Sequence, residues 1–528
     1  MTVPSPHKEF KLDPLLIPAQ RAVIPDMVLT ELWLRLEHDD QKIRPRSESY
    51  RHVADIAAMI ESSDLGFGGF ETGSNIAESW LRADLLKTLT KSGPKGDYTV
   101  ARPVHLAATK LRNTKHGEGG ASAIPFRWIE EEGGTLRRDL LDWLKGPESG
   151  SDGHKDLPSY ALAVLGENEQ GDQVVGGSRS GGANPLCGKY GRMYCDDLRA
   201  ILAYKDEIPR VAVLDHIRRI TMFYLGLYLL QTFVLVTRIE SEPDTDRECE
   251  CLDDNRCRLV PELVVDCGED AGSGVAKLAE KSWSQIENEL FYYVKSHWRL
   301  RKLREFAEAT ENRNKNFDTG DLTEIARIAN GKHRETLDVW AQRKIDDLIE
   351  KTRDGSKDTD QSVRITEARD RFMAMGAQGF DCYMSILFED GEKRWYKYHI
   401  DLFDSVFAKN AVDGTMLQPL GGRKRRRRLA LSPALLETIV LISFVQFGSD
   451  GVPDVRPIRI DQLVERLESR YGLLVVRPPR ALEDDLGAVQ AMRDNKETFL
   501  ARLRQTGLYV DQSDSFLSQK IQPRIRLR

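Results

Sequence analysis

The chain of 528 residues lacks the features that identify a secreted or disordered protein. It has 7 cysteines, an odd number, and its first residues (MTVPSPHKEFKLDPLL) contain no apolar segment of the kind found in signal peptides. A disulfide framework is therefore not expected. Hydrophobic residues make up 40% of the chain and charged residues 30%, which excludes wholesale disorder. We expect a cytoplasmic protein.

Long hydrophobic runs are also scarce. The one candidate for a membrane span is residues 220–236 (ITMFYLGLYLLQTFVLV). This run is at the short limit for a bilayer core of about 30 Å, and Thr, Tyr and Gln interrupt it. We interpret it as a helix buried in a large domain, and we expect no membrane partner.

Motifs that would fix a reaction are missing too. The sequence contains no H-E-x-x-H zinc motif, no G-x-S-x-G nucleophile elbow and no G-x-G-x-x-G loop after a clear strand. Asp196 and Asp197 are expected simply to cap a helix that begins at Leu198. The sequence itself therefore favours a protein without catalytic activity.

What the sequence does contain is helical spacing of apolar residues over most of its length. We predict a mainly α fold with small β elements (α+β) and several domains. The predicted parts are an N-terminal helical domain (1–150), a central helical domain (151–351) with a cysteine-bearing insertion (240–274), a connecting region (363–420) and a basic domain (421–528).

The connecting region contains a predicted β-hairpin between Asp381 and Ile400. CYMSILF and RWYKYHI flank an Asp-Gly pair, which is a strong hairpin signal. Charged side chains on such a hairpin could in principle hold a divalent metal for a nuclease. The residues concerned are Asp381, Glu389, Asp390, Glu392 and Lys397. Because hairpin tips are usually charged, we rank the nuclease as an alternative.

Four cysteines of the insertion form a second candidate site. Cys249, Cys251, Cys257 and Cys267 lie within 19 positions, and four thiolates can hold a tetrahedral zinc ion. The spacing does not match the paired C-x2-4-C knuckles of common zinc sites, however. Cys267 follows an apolar strand and could simply be buried. A structural zinc ion is a hypothesis, and burial is the alternative.

Charge is unevenly distributed along the chain. Residues 421–528 contain 20 Lys and Arg against 13 Asp and Glu, a net charge of +7, whereas the whole chain has −6. The remainder therefore carries −13. Clustered positive charge is the electrostatic footprint expected of a nucleic-acid-binding module.

The element order of this basic domain is similar to a winged helix-turn-helix. Helices are predicted after Ser432, after Asp461 and over 486–505, with short strands between them and a closing strand or wing. A helix in the major groove and basic side chains on the phosphates would bind a duplex. The candidate DNA-binding residues are Arg423, Lys424, Arg425, Arg426, Arg427, Arg428, Arg493, Lys496, Arg502 and Arg504.

Four segments carry a resemblance to a known class of proteins. SPALLETIVLISFV, PIRIDQLVERLESRYGLLVV, FLARLRQTGLYVDQSDSF and the central ELVVDCGEDAGS resemble accessory proteins of bacterial antiphage defence islands, in phosphorothioation- or methylation-linked systems. The resemblance covers the C-terminal part and one upstream segment, and it assigns no catalytic residue. It implies a role in sensing or loading DNA beside a separate ATPase, helicase or nuclease.

Together these observations favour a non-enzymatic DNA-binding or assembly subunit of a bacterial defence complex. The basic C-terminal domain would contact DNA, and the acidic remainder would dock on basic protein partners. The alternatives are the metal-dependent nuclease and a pure protein-protein scaffold.

Overall fold

The structure is a computed structural model. It describes residues 12, 15–18, 23–44, 52–62, 70, 75–88, 98–112, 118–146, 156–167, 173–244, 257, 260–314, 320–354, 359–407, 416–420, 426–507, 509 and 520–527. Helices dominate these residues, and the strands are short and paired two by two. The predicted fold class, mainly α with small β elements, is confirmed.

The N-terminal and central parts are built from helices joined by two small antiparallel sheets, β1 with β4 and β2 with β3. The helices are α1 (Pro25–Glu37), α2 (Val53–Glu61), α3 (Ile76–Trp80), α4 (Ala123–Glu132), α5 (Leu136–Lys145), α6 (Leu157–Glu167), α7 (Lys189–Leu202), α8 (Arg210–Ser241), α9 (Gly274–Asn314), α10 (Leu322–Arg327), α11 (Arg334–Asp354), α12 (Thr359–Ala374) and α13 (Gly379–Val406). The strands are β1 (Gln41–Arg44), β2 (Leu86–Thr88), β3 (Tyr98–Ala101), β4 (Gln173–Ser178) and β5 (Leu263–Val264).

The C-terminal part alternates short strands with three helices. The helices are α14 (Pro433–Phe444), α15 (Ile460–Tyr471) and α16 (Leu486–Gln505). The strands are β6 (Leu417–Leu420), β7 (Arg426–Leu429), β8 (Val445–Phe447), β9 (Pro453–Val455), β10 (Ile458–Arg459), β11 (Leu473–Leu474) and β12 (Lys520–Ile521). Ser432 caps α14 as predicted, because its hydroxyl accepts a hydrogen bond from the Leu435 amide at 3.1 Å.

Helix α8 lies at the centre of the molecule. Its length and composition would allow it to cross a membrane, with a mean hydropathy of 1.7 in its most apolar window, but 83% of that window is buried by the rest of the chain. Phe233 of this helix contacts Tyr293 of α9 and Phe403 of α13, with ring centroids 4.4 and 5.3 Å apart. The apolar run is thus the core helix that the sequence analysis predicted.

The short strand β5 joins the C-terminal part to the centre of the chain. It pairs in parallel with β11, and the Val265 amide donates to the Leu474 carbonyl at 3.1 Å. On its other side, the Asp266 amide donates to the carbonyl of Leu429 at 3.0 Å. Strands of the C-terminal part therefore pair with a segment far outside it. A self-contained winged helix is not confirmed, and the predicted domain boundaries stay predictions.

The predicted hairpin between Asp381 and Ile400 is wrong, because this segment is the continuous helix α13. Gly391 does not make a turn. Its missing side chain leaves room for the ring of Trp395 one helical turn later, which a Cβ atom would approach within 2.2 Å. Trp395 in turn stacks on Trp298 of α9, with ring centroids 3.9 Å apart. Packing of these two large rings outweighs the local turn preference of Asp-Gly.

Candidate nucleic-acid interface

The basic run at residues 423–428 is divided by its position in the structure. Arg423, Lys424 and Arg425 lie outside the described residues. Arg426, Arg427 and Arg428 lie on strand β7, and each forms an ion pair with a carboxylate of a different segment. The partners are Glu280 on α9, Asp404 on α13 and Asp266 beside β5.

These three arginines differ strongly in burial. The Arg426 side chain is 54% exposed, whereas that of Arg428 is 3% exposed. Arg428 also donates to the carbonyls of Asp270 and Gly268 at 3.2 and 3.3 Å. Burial raises the pKa of its partner Asp266, although the Gly268 amide and Arg428 oppose that shift. Arg428 therefore makes its contacts in the interior of the protein.

Arg427 is also committed to an internal partner. Its Nε and Nη2 atoms donate to the two carboxylate oxygens of Asp404 at 2.8 and 2.7 Å. Its guanidinium lies 5.6 Å from the ring centroid of Trp283. A bidentate pair over an aromatic ring is a strong arrangement for arginine. Of the described arginines in the run, Arg426 is thus the one that is exposed.

Helix α16 separates its polar residues between an inner and an outer face. On the inner face, Asn495 accepts from the Cys267 amide at 2.8 Å and donates to the carbonyls of Val265 and Val475 at 3.0 and 2.9 Å. Buried Arg502 donates to the Leu431 carbonyl at 2.6 Å. These bonds attach the helix to β5, β11 and the segment after β7, so both residues hold the fold together.

The outer face of α16 carries the remaining candidates. Arg493 and Arg504 are exposed, and Lys496 is half-buried. Arg504 lies over the ring of Tyr509, with 5.6 Å between guanidinium and ring centroid. The spacings between residues 493, 496 and 504 are close to multiples of the helical repeat, so their side chains project from the same side of the helix. Acidic Asp494 and Glu497 are exposed on this helix as well.

Helix α15, the second helix of the predicted helix-turn-helix, turns two of its arginines inward. Arg470 and Arg466 donate to one oxygen of buried Asp197 at 2.8 and 3.1 Å. The Tyr224 and Tyr471 hydroxyls each donate to the other oxygen at 2.7 Å. Burial and the Asp197 carboxylate raise the pKa of Tyr471 to about 12. These contacts join α15 to α7 and α8.

The expectation that Asp197 caps a helix is wrong, because α7 begins at Lys189 and Asp197 lies inside it. Exposed residues of α15 include Gln462 and Glu465, which do not form a basic reading face. The arginines that would contact phosphate from this helix are those that bind Asp197. Among the three C-terminal helices, α16 therefore presents the better candidate surface.

The cysteine cluster is only partly described. Cys249 and Cys251 lie outside the described residues, while Cys257 and Cys267 are both buried in the core. Burial raises the pKa of the Cys267 thiol to about 12. Within the described ranges, no group of three or more His, Cys, Asp or Glu side chains could hold a metal ion. The four-cysteine zinc site stays a prediction.

The residues of the nuclease hypothesis lie along a single helix instead of on two paired strands. Asp381 and Lys397 are 16 positions apart on α13, so they are separated by about 24 Å along the helix axis. Asp381 accepts from Arg299 and Arg334 at 2.9 and 2.6 Å, which lowers the pKa of its carboxyl despite partial burial. The structure removes the hairpin on which that hypothesis depended.

Comparison with known families gives one match, which covers nearly the whole chain. The family model of methylation-associated defense system protein MAD7 matches residues 5–525. The chain belongs to the MAD7 family. It is accordingly a component of a defence system, and the resemblance to antiphage defence proteins is confirmed. Curated proteins and solved structures give no significant match.

Sequence reasoning missed the carboxylates that bind the basic residues. Asp197, Asp266 and Asp404 each pair with an arginine far away in the chain. One signal was present for Asp266, since it ends an apolar strand and an unpaired carboxylate is rarely buried. No comparable signal marks Asp197 or Asp404 in the sequence.

Proposed function

We propose that this MAD7-family protein is a non-enzymatic DNA-binding and assembly subunit of a methylation-associated defence complex in the cytoplasm. The DNA contact lies on the outer face of α16, with Arg493, Lys496 and Arg504. The proposal also includes Arg423, Lys424 and Arg425, which lie outside the described residues. The observation that carries the proposal is the division of the C-terminal cations into an inner set bound to carboxylates or carbonyls and an outer set exposed on one helix face.

The geometry of the outer face suits a phosphate backbone. Arg493 and Arg504 are 11 residues apart, which is about 16 Å along the helix axis. Duplex DNA carries one phosphate per strand for about 3.4 Å of its axis, so side chains at this separation reach different phosphates. No base-reading motif accompanies them, and contacts of this kind bind DNA without reading its sequence.

The assembly role follows from the charge of the rest of the chain. Residues 1–420 carry −13 against +7 for residues 421–528. A predominantly acidic body disfavours DNA and favours a basic protein partner, such as an ATPase, helicase or nuclease subunit of the same complex. The body would then hold the partner while the C-terminal part contacts DNA.

A salt titration of DNA binding tests the proposal. For the purified full chain, we expect the affinity for a 20-base-pair duplex to fall steeply from low to moderate salt. The variant Arg493→Ala/Arg504→Ala should reduce the slope of log affinity against log salt by about 2. The matched control is Arg192→Ala/Arg343→Ala, which removes two exposed helical arginines elsewhere.

The outcomes separate the candidate functions. Equal loss of affinity in the α16 variant and the control would contradict a contact on α16. Absence of DNA binding by the unaltered chain would contradict the DNA-binding role and favour a pure protein-protein scaffold.

We also propose structural zinc on the four cysteines of the insertion, since four thiolates suit a tetrahedral site. Metal analysis of freshly purified protein should find one equivalent of zinc. Substitution of Cys249 and Cys251 by Ser should abolish it. Clearly less than one equivalent would indicate that Cys257 and Cys267 are simply buried thiols.

A further inference from the structure

The last described segment, residues 520–527, begins with strand β12 and packs against the fold. Strand β12 pairs antiparallel with β10, which places Lys520 opposite Arg459 and Ile521 opposite Ile458. Ile521 is fully buried, and Ile525 and Leu527 pack against the core. The apolar residues of the tail therefore point inward and fix its path along the surface.

The basic residues of this tail alternate with those apolar residues. Lys520, Arg524 and Arg526 are exposed, at positions i, i+4 and i+6. Exposed and less exposed positions alternate from Lys520 to Leu527, although the chain is a strand only at Lys520 and Ile521 and bends at Arg524. The three cations all occupy exposed positions of this alternation.

Arg524 connects the tail to the end of helix α16. Its Nε and Nη2 atoms donate to the Gly507 carbonyl at 3.1 and 2.8 Å. Gly507 has a φ of +66°, and a Cβ atom there would lie 1.9 Å from the Arg524 guanidinium. Because residue 507 is a glycine, the Arg524 guanidinium can bind there. Arg504, on the last turn of α16, is also exposed.

Asp461 lies beside the strand pair and binds Arg459, whose Nε and Nη2 atoms donate to its carboxylate oxygens at 3.0 and 2.9 Å. Within the described part of the chain, no ion pair to a carboxylate is formed by Lys520, Arg524 or Arg526. This differs from strand β7, where each described arginine has its own carboxylate.

We propose that the tail is a second nucleic-acid contact, a cationic track that continues the α16 face along the backbone of the same DNA duplex. The inference rests on the proposed DNA-binding function and extends it. Arg524 anchors the track, while Lys520 and Arg526 contact phosphates. Cations that alternate with apolar residues along the chain recognise regularly spaced phosphates by charge. The bound ligand is therefore duplex DNA of any sequence.

The test compares salt dependence in matched variants of the full chain. With a 20-base-pair duplex, Lys520→Ala/Arg526→Ala should lower the slope of log affinity against log salt by about 2, and the affinity at physiological salt by on the order of tenfold. Combining these changes with Arg493→Ala/Arg504→Ala should lower the slope by about 4. The charge-conserving variant Lys520→Arg/Arg526→Lys should bind like the unaltered chain.

Each remaining outcome overturns the inference in a recognisable way. If the tail variant binds like the unaltered chain while the α16 variant is weakened, the tail track is wrong and the proposed function stands. If the unaltered chain does not bind DNA, both fail. If the tail variant loses binding to polyglutamate but keeps its DNA affinity, the tail is a surface for an acidic protein instead. Equal thermal melting of all variants shows that the fold is intact.

Discussion

The C-terminal part contains two populations of basic side chains that composition alone cannot separate. On strand β7, Arg427 and Arg428 are buried against Asp404 and Asp266. On the outer face of α16, Arg493 and Arg504 are exposed and Lys496 is half-buried, and the described cations of the tail are exposed. The difference shows that a run of arginines in a sequence does not measure the positive charge available to a partner.

Secondary structure explains why the two populations differ. Successive side chains of a strand point to opposite faces, and carboxylates meet β7 on both: Arg427 pairs with Asp404 of α13, whereas Arg426 and Arg428 pair with Glu280 of α9 and Asp266 beside β5. A helix docked on one side keeps its other side in solvent, so α16 buries Arg502 and exposes Arg504. The positions whose charge stays accessible to a partner are therefore set by the docking of each element.

The largest effect is expected at the buried carboxylate that binds the inner arginines of α15. Asp197→Ala leaves Arg466, Arg470 and two tyrosine hydroxyls without their acceptor. Breaking a buried ion pair in this way costs about 3–5 kcal/mol of the free energy of unfolding. Urea or guanidinium denaturation measures the change.

Its neighbour provides the control. Asp196→Ala removes a carboxylate of the same helix that is 54% exposed and lies 3.4 Å from Arg199 and 3.8 Å from Arg470. Exposed pairs contribute about 0–1 kcal/mol, so this variant should stay close to the unaltered chain. Similar losses in both variants would show that Asp197 does not join α15 to the body.

Lowering the pH should reduce the stability of the fold through two buried histidines. Burial lowers the pKa of His216 to about 4, with a further contribution from Arg219, and burial lowers the pKa of His399 to about 4 as well. In the unfolded chain both have a pKa near 6.5. Stability contributed by the neutral rings is complete above pH 6.5 and is lost as the pH falls toward 4.

The expected slope follows from two protons taken up on unfolding. Between pH 6 and 5 the free energy of unfolding should fall by up to about 2.7 kcal/mol per pH unit from these groups. His399→Leu should reduce that slope by about half, as measured by denaturation at several pH values. An unchanged slope in the variant would contradict a neutral buried His399.

A graded effect is expected along strand β7. Asp404→Ala removes the partner of buried Arg427 and should lower the free energy of unfolding by about 2 kcal/mol. Glu280→Ala removes the partner of Arg426, which is 54% exposed, and should cost less than about 1 kcal/mol. If denaturant unfolding shows the larger loss of stability in Glu280→Ala, burial does not determine how much these two ion pairs contribute.

Local features of the C-terminal part could be predicted well from sequence. Ser432 as a helix cap and the bounds of α16 both match the structure. Each depends on a few adjacent residues, whose conformational preferences are strong. The burial of the apolar run in α8 follows from composition in the same way.

Features that depend on distant contacts could not be predicted. The pairing of β5 with β11 joins residues more than 200 positions apart, and no local pattern specifies it. The Asp197 ion pairs span 269 and 273 positions and the Asp404 pair spans 23, and no local pattern specifies these pairs either. The wrong hairpin prediction at Asp390-Gly391 also has a distant contact as its cause. The stacking of Trp395 on Trp298, which favours a helix here, is made between two separate elements.

The smallest effect on stability is expected at Arg504 on the outer face of α16, which should behave oppositely to Arg502, two positions earlier on the inner face. Arg504→Ala should change the free energy of unfolding by less than about 1 kcal/mol and lower the DNA salt slope by about 1. Arg502→Ala removes a buried charged hydrogen bond to the Leu431 carbonyl and should cost about 1.5–3 kcal/mol, with an unchanged salt slope. Since the two side chains are chemically identical, a difference between the two variants must come from the difference in burial. A loss of DNA affinity in Arg502→Ala at full folding would place the inner face of α16 in contact with DNA and reverse the assignment of the two faces.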